Sequence, residues 1–372
     1  MSDLGKRSDA VKHVRIPTLD GWRAIAILGV MCCHIQWPLP YSIARVFVFG
    51  GWGVQLFFAL SGFLITSRLL DEYDQTGKIR WGDFYIRRVF RILPPAFFLL
   101  SVLAVLGLGL RLIPLDGKSI LAVILFYRNY VYAGGWYTAH FWSLAVEEHF
   151  YLMWPAVLCI VGVARGGRTA VTLVFMAIVW HIADSYFNWI GHFWPLLHGD
   201  IHRTDYNLDV LFLGAALAYL WRSEPARDTL RRVVRSYWVL GIWAAQLLLL
   251  WTRTSSWQYI GVGLLMAPLP LITIADPGSW LSRILETRWL AWIGRLSYSL
   301  YLWQQLTLRL TFLPRVFQQL PVNVLLTFLA ASFSYYFVER RFIQLGGRIV
   351  RRRSVKRRLL PETTAAGTGV RG

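Results

Sequence analysis

Ten stretches of this chain are apolar for long enough, about 20 residues, to cross a bilayer. They fall near 19–37, 53–70, 88–110, 142–163, 170–190, 207–221, 237–252, 257–275, 289–311 and 321–339. An eleventh stretch, SILAVILFYRNYVY at 119–132, is short and is interrupted by Arg128 and Asn129. A segment of that length is expected to be re-entrant or interfacial, because bare backbone ends are not stable in hydrocarbon. The pattern predicts an all-α polytopic membrane protein with about ten transmembrane helices plus one short re-entrant or interfacial helix. No repeat of 20–50 residues is visible that would indicate a solenoid.

Composition agrees with this picture. Apolar residues make up 56% of the 372 residues and charged residues 16%, and the mean hydropathy is +0.45. A soluble domain carries about 25% charged residues. The chain has 19 Trp, 17 Tyr and 22 Phe, which suits aromatic belts at both membrane interfaces. The formal net charge is +19, but the basic residues flank apolar spans and form no basic domain. Nucleic acid is therefore not an expected partner; membrane lipid with anionic headgroups is. Cys32, Cys33 and Cys159 all fall inside apolar stretches, where they serve as small packing groups. No metal-ligand spacing appears, and no metal is expected.

The basic residues also orient the chain. With the N-terminus cytoplasmic and 119–132 not spanning, the inner segments carry 28 Lys and Arg and the outer segments 7. That asymmetry follows the positive-inside rule and places both termini in the cytoplasm of a bacterial inner (plasma) membrane. The expected organisation is a cytoplasmic N-terminal segment at 1–18, a membrane domain at 19–345, and a basic, disordered cytoplasmic tail at 346–372. The first eighteen residues lack an apolar core, so no cleaved signal peptide is expected. No soluble domain is expected on either side of the spans.

Within this apolar background a few ionisable residues stand out. Arg23 and His34 are eleven residues apart in the first span, so they share one helical stripe about 16 Å long. Arg23 sits near the cytoplasmic interface. His34 lies deeper, where polar groups are costly and mark function. FWSLAVEEHFYLMWP at 141–155 places Glu147, Glu148 and His149 in another span, with Tyr151 on the same face as Glu147. The depths of His34 and Glu147 are comparable, so the two are expected to be able to meet. A histidine beside a carboxylate is a better base for a hydroxyl, and equally a proton relay. FYIRRVFRILPP at 84–95 places Arg88 and Arg91 on one face at what reads as a helix start, a geometry that suits phosphate. Pro94 and Pro95 are expected to kink the helix just beyond.

Taken together, these segments resemble the acyltransferase-3 family of bacterial membrane O-acyltransferases. LDGWRAIAILGVMCCH is similar to its opening motif, an Arg followed ten residues on by a His. GVQLFFALSGFLIT at 53–66, FYIRRVFRILPP, FWSLAVEEHFYLMWP, IGRLSYSLYLWQQ at 293–305 and YYFVERRF at 335–342 resemble later motifs, in the family's order. The resemblance implies an enzyme that passes an acyl group, usually acetyl, from cytoplasmic acyl-CoA to a hydroxyl. That hydroxyl would belong to a sugar of an envelope polysaccharide, a glycolipid or another glycosylated acceptor. It makes His34 the catalytic candidate, with Glu147 or Glu148 orienting it or supporting the acceptor. Arg23, Arg88 and Arg91 become candidates for donor phosphates. Ser61, Gly62, Tyr151 and Asp209 become candidates for the acyl path or the acceptor. The chain departs from the family pattern at His149, where Gln is common, at Asn207, where Arg is common, and at Arg341, where Pro is common. A stand-alone form without an esterase-like domain is expected. The rival reading is a proton-coupled transporter or flippase of an envelope precursor, which would call for inverted repeats and broken spans at matching positions.

Overall fold

A computed structural model of the chain describes residues 16–40, 49–131, 135–193, 201–235 and 256–359. Every regular element among the described residues is a helix. The principal ones are α1 (Pro17–His34), α2 (Gly53–Thr76), α3 (Trp81–Ala104), α4 (Gly117–Ile124), α5 (Phe141–Val161), α6 (Val163–Phe187), α7 (Leu208–Arg222), α8 (Glu224–Arg235), α9 (Ser256–Met266), α10 (Leu269–Ala275), α11 (Arg288–Thr307), α12 (Val322–Phe333) and α13 (Arg340–Leu359).

Five continuous helical runs are long and apolar enough to cross a membrane: Gly50–Thr76, Trp81–Gly109, Trp136–Val161, Val163–Phe187 and Val322–Arg357. The other expected spans take different forms. α7 has 15 residues, about 22 Å at the helical rise. The stretch expected at 257–275 is divided into α9 and α10, with Pro268 as the N-cap of the second. The stretch at 237–252 lies outside the described residues. The short segment is the eight-residue α4, about 12 Å long, started by Asp116 accepting from the Ser119 amide at 2.6 Å. Pro94 and Pro95 sit inside α3, which continues to Ala104.

Two close helix crossings organise the centre. α1 packs against both α2 and α11. A Cβ at Gly294 of α11 would overlap the Asp20 carbonyl of α1, so these backbones nearly touch. α2 and α7 cross through a reciprocal pair: Gly62 lies against the Leu211 carbonyl and Gly214 against the Ala59 carbonyl. Small residues at such contacts are the usual device in membranes, where burying apolar surface against another helix gains little over lipid. α6 turns Phe175, Met176 and Val179 outward, a face suited to lipid acyl chains.

A polar clasp fixes the loop before α7. Arg203, 1% exposed, pairs with Asp184 at 2.7 Å and with Asp205. Tyr206 donates to the same Asp184 carboxylate at 2.9 Å, and burial raises the Tyr206 phenol above its ordinary pKa. Asn207 is fully buried. Its amide donates to the Ile201 and Arg203 carbonyls, both at 2.8 Å, and its oxygen accepts from Gln55 at 2.9 Å. His149 bonds Thr204 at 2.7 Å and so joins this clasp.

The basic tail differs from expectation. It is expected to be disordered from 346, yet α13 runs helical to Leu359. It continues the last span and lies along α3, with Phe342 against Phe90 and Arg357 donating at 2.9 Å to Asp83, a carboxylate 2% exposed. That pairing gives the buried Asp83 a counter-charge and gives the cationic helix a surface to dock on. Residues 360–372 lie outside the described residues.

Candidate functional site

α1, α2, α3, α5 and α11 enclose a cavity of about 100 Å³. Arg23, Arg88, Arg91, Glu147, Ser61 and Tyr151 all line it, so six of the residues singled out in the sequence converge in one chamber. Glu147 accepts from Ser61 at 2.8 Å and from the Tyr151 hydroxyl at 2.9 Å. Tyr151 also reaches Ser61 at 3.3 Å, which closes a three-membered hydroxyl–carboxylate ring. Arg88 lies over the Tyr151 ring at 4.6 Å and over Phe84 at 5.8 Å. Arg23 faces Asp20 at 3.6 Å. No ion pair is recorded for Arg88 or Arg91 among the described residues, so the chamber holds more guanidinium than carboxylate.

α1 is unbroken from Pro17 to His34, so Arg23 and His34 do share a stripe. His34 lies outside the lining of the cavity. It does not meet Glu147 or Glu148. Its Nδ1 stands 3.3 Å from Oε1 of Gln304 on α11, and its ring meets Trp136 edge-on at 5.4 Å. Matching depth was not sufficient for contact: the hydroxyls of Ser61 and Tyr151 engage the Glu147 carboxylate, and the α1–α11 crossing turns His34 toward α11. An amide oxygen facing Nδ1 selects the tautomer with its proton there and leaves Nε2 as the basic nitrogen. Gln304 is fully buried, and its Nε2 has no hydrogen-bond partner.

Three other expectations change. Arg88 and Arg91 are not at a helix start, because α3 begins at Trp81 and both lie two turns or more inside it. Their charge faces the chamber, but the orphan backbone amides of a helix N-terminus do not. Gly62 does not line the chamber; it is the contact that lets α2 approach the Leu211 carbonyl. Asp209 is 3% exposed, accepts from the neighbouring Val210 amide at 2.8 Å, and is not among the residues that line the chamber. Glu148 points elsewhere than Glu147, as adjacent helical residues must, and its buried Oε1 has no partner.

The structure adds residues the sequence did not single out. Tyr298 and Tyr301 of α11 line the chamber. Tyr298 donates to the Ile92 carbonyl at 2.8 Å, and Tyr301 to the His140 carbonyl at 2.9 Å. The available signal was the polar spacing of SYSLYLWQQ within an apolar span, with Tyr298, Tyr301 and Gln305 at helical intervals and Gln304 beside them.

The helices long and apolar enough to cross a bilayer, packed around an arginine-lined chamber, define a helical membrane protein. Comparison makes the assignment more specific. Residues 16–339 match the family model described as an acyltransferase domain, and the chain belongs to the acyltransferase-3 family. Among its relatives is a protein of Staphylococcus aureus (strain COL) provisionally named an O-acetyltransferase, 33% identical over 370 residues, covering 89% of this chain and 58% of the relative. Another is the O-acetyltransferase OatA of Staphylococcus aureus (strain NCTC 8325 / PS 47), 32% identical over 361 residues, covering 87% of this chain and 56% of the relative. The chain thus spans a little over half the length of these relatives. No solved structure matches it.

Proposed function

We propose that this protein is a membrane O-acyltransferase. It takes an acyl group, acetyl by analogy with its relatives, from acyl-CoA on the cytoplasmic side. It delivers the group to a hydroxyl of a sugar in an envelope polysaccharide, a glycolipid or another glycosylated acceptor. The observation that carries this reading is the convergence of Arg23, Arg88 and Arg91 on one chamber, with His34 eleven residues further along the same helix as Arg23. The guanidiniums offer forks to phosphate oxygens at the inner end. The arm of the donor runs along α1 and brings the thioester toward His34. There Nε2 of His34 removes the acceptor hydroxyl proton, the oxygen attacks the thioester carbonyl, the carbon–sulfur bond breaks, and the proton passes to the leaving thiolate. Gln304 holds the imidazole tautomer. Glu147 anchors Ser61 and Tyr151 in the chamber wall.

The orientation rests on charge. The excess of 28 basic residues in the inner segments over 7 in the outer ones supports ten spans in the bacterial inner membrane with both termini cytoplasmic. It also favours Arg23 at the inner end of α1.

The test is thiol release from acetyl-CoA by purified protein, with envelope glycan extract as acceptor. Losing a general base costs about 10²–10⁴-fold in rate. His34→Ala is expected to lose that much while still binding CoA. Near-native turnover in folded His34→Ala protein would overturn the mechanism.

A further inference from the structure

Beside the chamber, on the side of α1 that carries Arg23, lies a larger and more open groove of about 1150 Å³. It is walled by α1, α2 and the α7–α8 region, and Arg23 lines both spaces. Its charges are mostly matched. Arg23 faces Asp20 at 3.6 Å, Arg222 is held by Asp71 and Asp74, and Arg227 pairs with Glu224. Arg68 is the exception. It lines the groove and is exposed, and no ion pair is recorded for it among the described residues. Arg88, Arg91, Arg23 and Arg87, all of its own sign, stand near enough to act on its charge. Four guanidiniums, Arg68, Arg23, Arg88 and Arg91, therefore run from the groove into the chamber, against two carboxylates, Asp20 beside Arg23 and Glu147 in the chamber wall. Such an excess of positive charge suits a ligand with several phosphate charges in sequence. Trp221 in the groove wall adds a flat aromatic surface of the kind on which a base stacks.

We infer that this groove holds the nucleotide end of the donor, with Trp221 beside its base and Arg68 on its ribose phosphate, while its remaining phosphates reach Arg23, Arg88 and Arg91 at the chamber and the pantetheine arm continues along α1. The inference rests on the acyl-CoA reading above and assigns the donor's two ends to two different spaces. The same phosphate chemistry is offered by an anionic lipid headgroup, so the experiment must separate the sources.

The full chain is reconstituted in nanodiscs of neutral phosphatidylcholine, and binding is measured by calorimetry for three probes: CoA, adenosine 3′,5′-bisphosphate and pantetheine. Native protein binds CoA and the bisphosphate. Arg68→Gln weakens both by about tenfold, the typical effect of losing one charge-assisted hydrogen bond, and leaves pantetheine unchanged. Arg68→Lys, which keeps the charge and monitors folding, recovers part of the loss. Trp221→Leu weakens the bisphosphate more than pantetheine. Equal weakening of CoA and pantetheine by Arg68→Gln, or no change in bisphosphate binding, overturns the inference while leaving the donor reading intact. Failure of native protein to bind CoA at all overturns the donor reading itself. Repeating the titration in discs with phosphatidylglycerol identifies a lipid site: abolition of bisphosphate binding there in native protein assigns the groove to headgroups and overturns the inference.

Discussion

Gln304→Leu isolates one hydrogen bond at the centre of the proposed mechanism. Gln304 is fully buried; its Oε1 lies 3.3 Å from His34 Nδ1, and its Nε2 has no partner. Leucine has a similar volume and removes both atoms. An uncharged hydrogen bond contributes about 0.5–1.5 kcal/mol. If all of it holds His34 in the reactive tautomer and orientation, its loss raises the barrier by that amount, a fall in kcat of about two- to tenfold at 1.36 kcal/mol per decade. Stability should hardly change, because the substitution also removes a buried amide group with no partner. The KM for acetyl-CoA should stay at the native value, since Gln304 is not part of the chamber lining. Gln304→Glu keeps an acceptor oxygen and should recover most of kcat. The assay is thiol release from acetyl-CoA at saturating and limiting donor, with thermal unfolding measured on the same samples. A kcat equal to native, or a rise in donor KM at unchanged kcat, would refute the claim that Gln304 positions the base.

Three further outcomes are expected. Replacing Arg88 and Arg91 together with Gln should raise the Kd for CoA by about tenfold or more and leave the unfolding midpoint near native; unchanged CoA binding would reduce the two to topology anchors. Gly62→Val should destabilise the protein by about 1–3 kcal/mol, read as a lower unfolding midpoint in detergent, because the new side chain meets the Leu211 carbonyl across the α2–α7 crossing. An unshifted midpoint would mean that the crossing opens at no cost. Single cysteines at Leu230 and Leu360, in a variant without the three native thiols, should react with an impermeant maleimide only after the cells are opened; labelling of either in intact cells would exclude the ten-span arrangement.

The order of the motifs, the helical class and the membrane setting were legible in the sequence because each depends on local pattern. Hydrophobic runs report burial in lipid or core, and an interval of eleven residues returns to one helical face, so Arg23 and His34 fell on a common stripe as expected. The grouping of Arg23, Arg88, Arg91, Ser61, Glu147 and Tyr151 in one chamber followed from their sharing faces of spans that must pack together. What local pattern cannot hold is the rotation of one helix against another. The reciprocal contacts of Gly62 with Leu211 and of Gly214 with Ala59, and the closeness of Gly294 to the Asp20 carbonyl, set those rotations. They decided that the partner of His34 is Gln304, 270 positions away, and that Glu147 is held by Ser61 and Tyr151. They also turned Gly62 from a presumed wall of the acyl path into a packing contact. The basic tail shows the same division. Its composition reads as a solvated chain, but the buried Asp83 on α3 supplies the counter-charge that lets α13 dock as a helix. A one-dimensional pattern says which residues must find partners; the helix crossings, built from close backbone contacts distant in sequence, decide which partners they find.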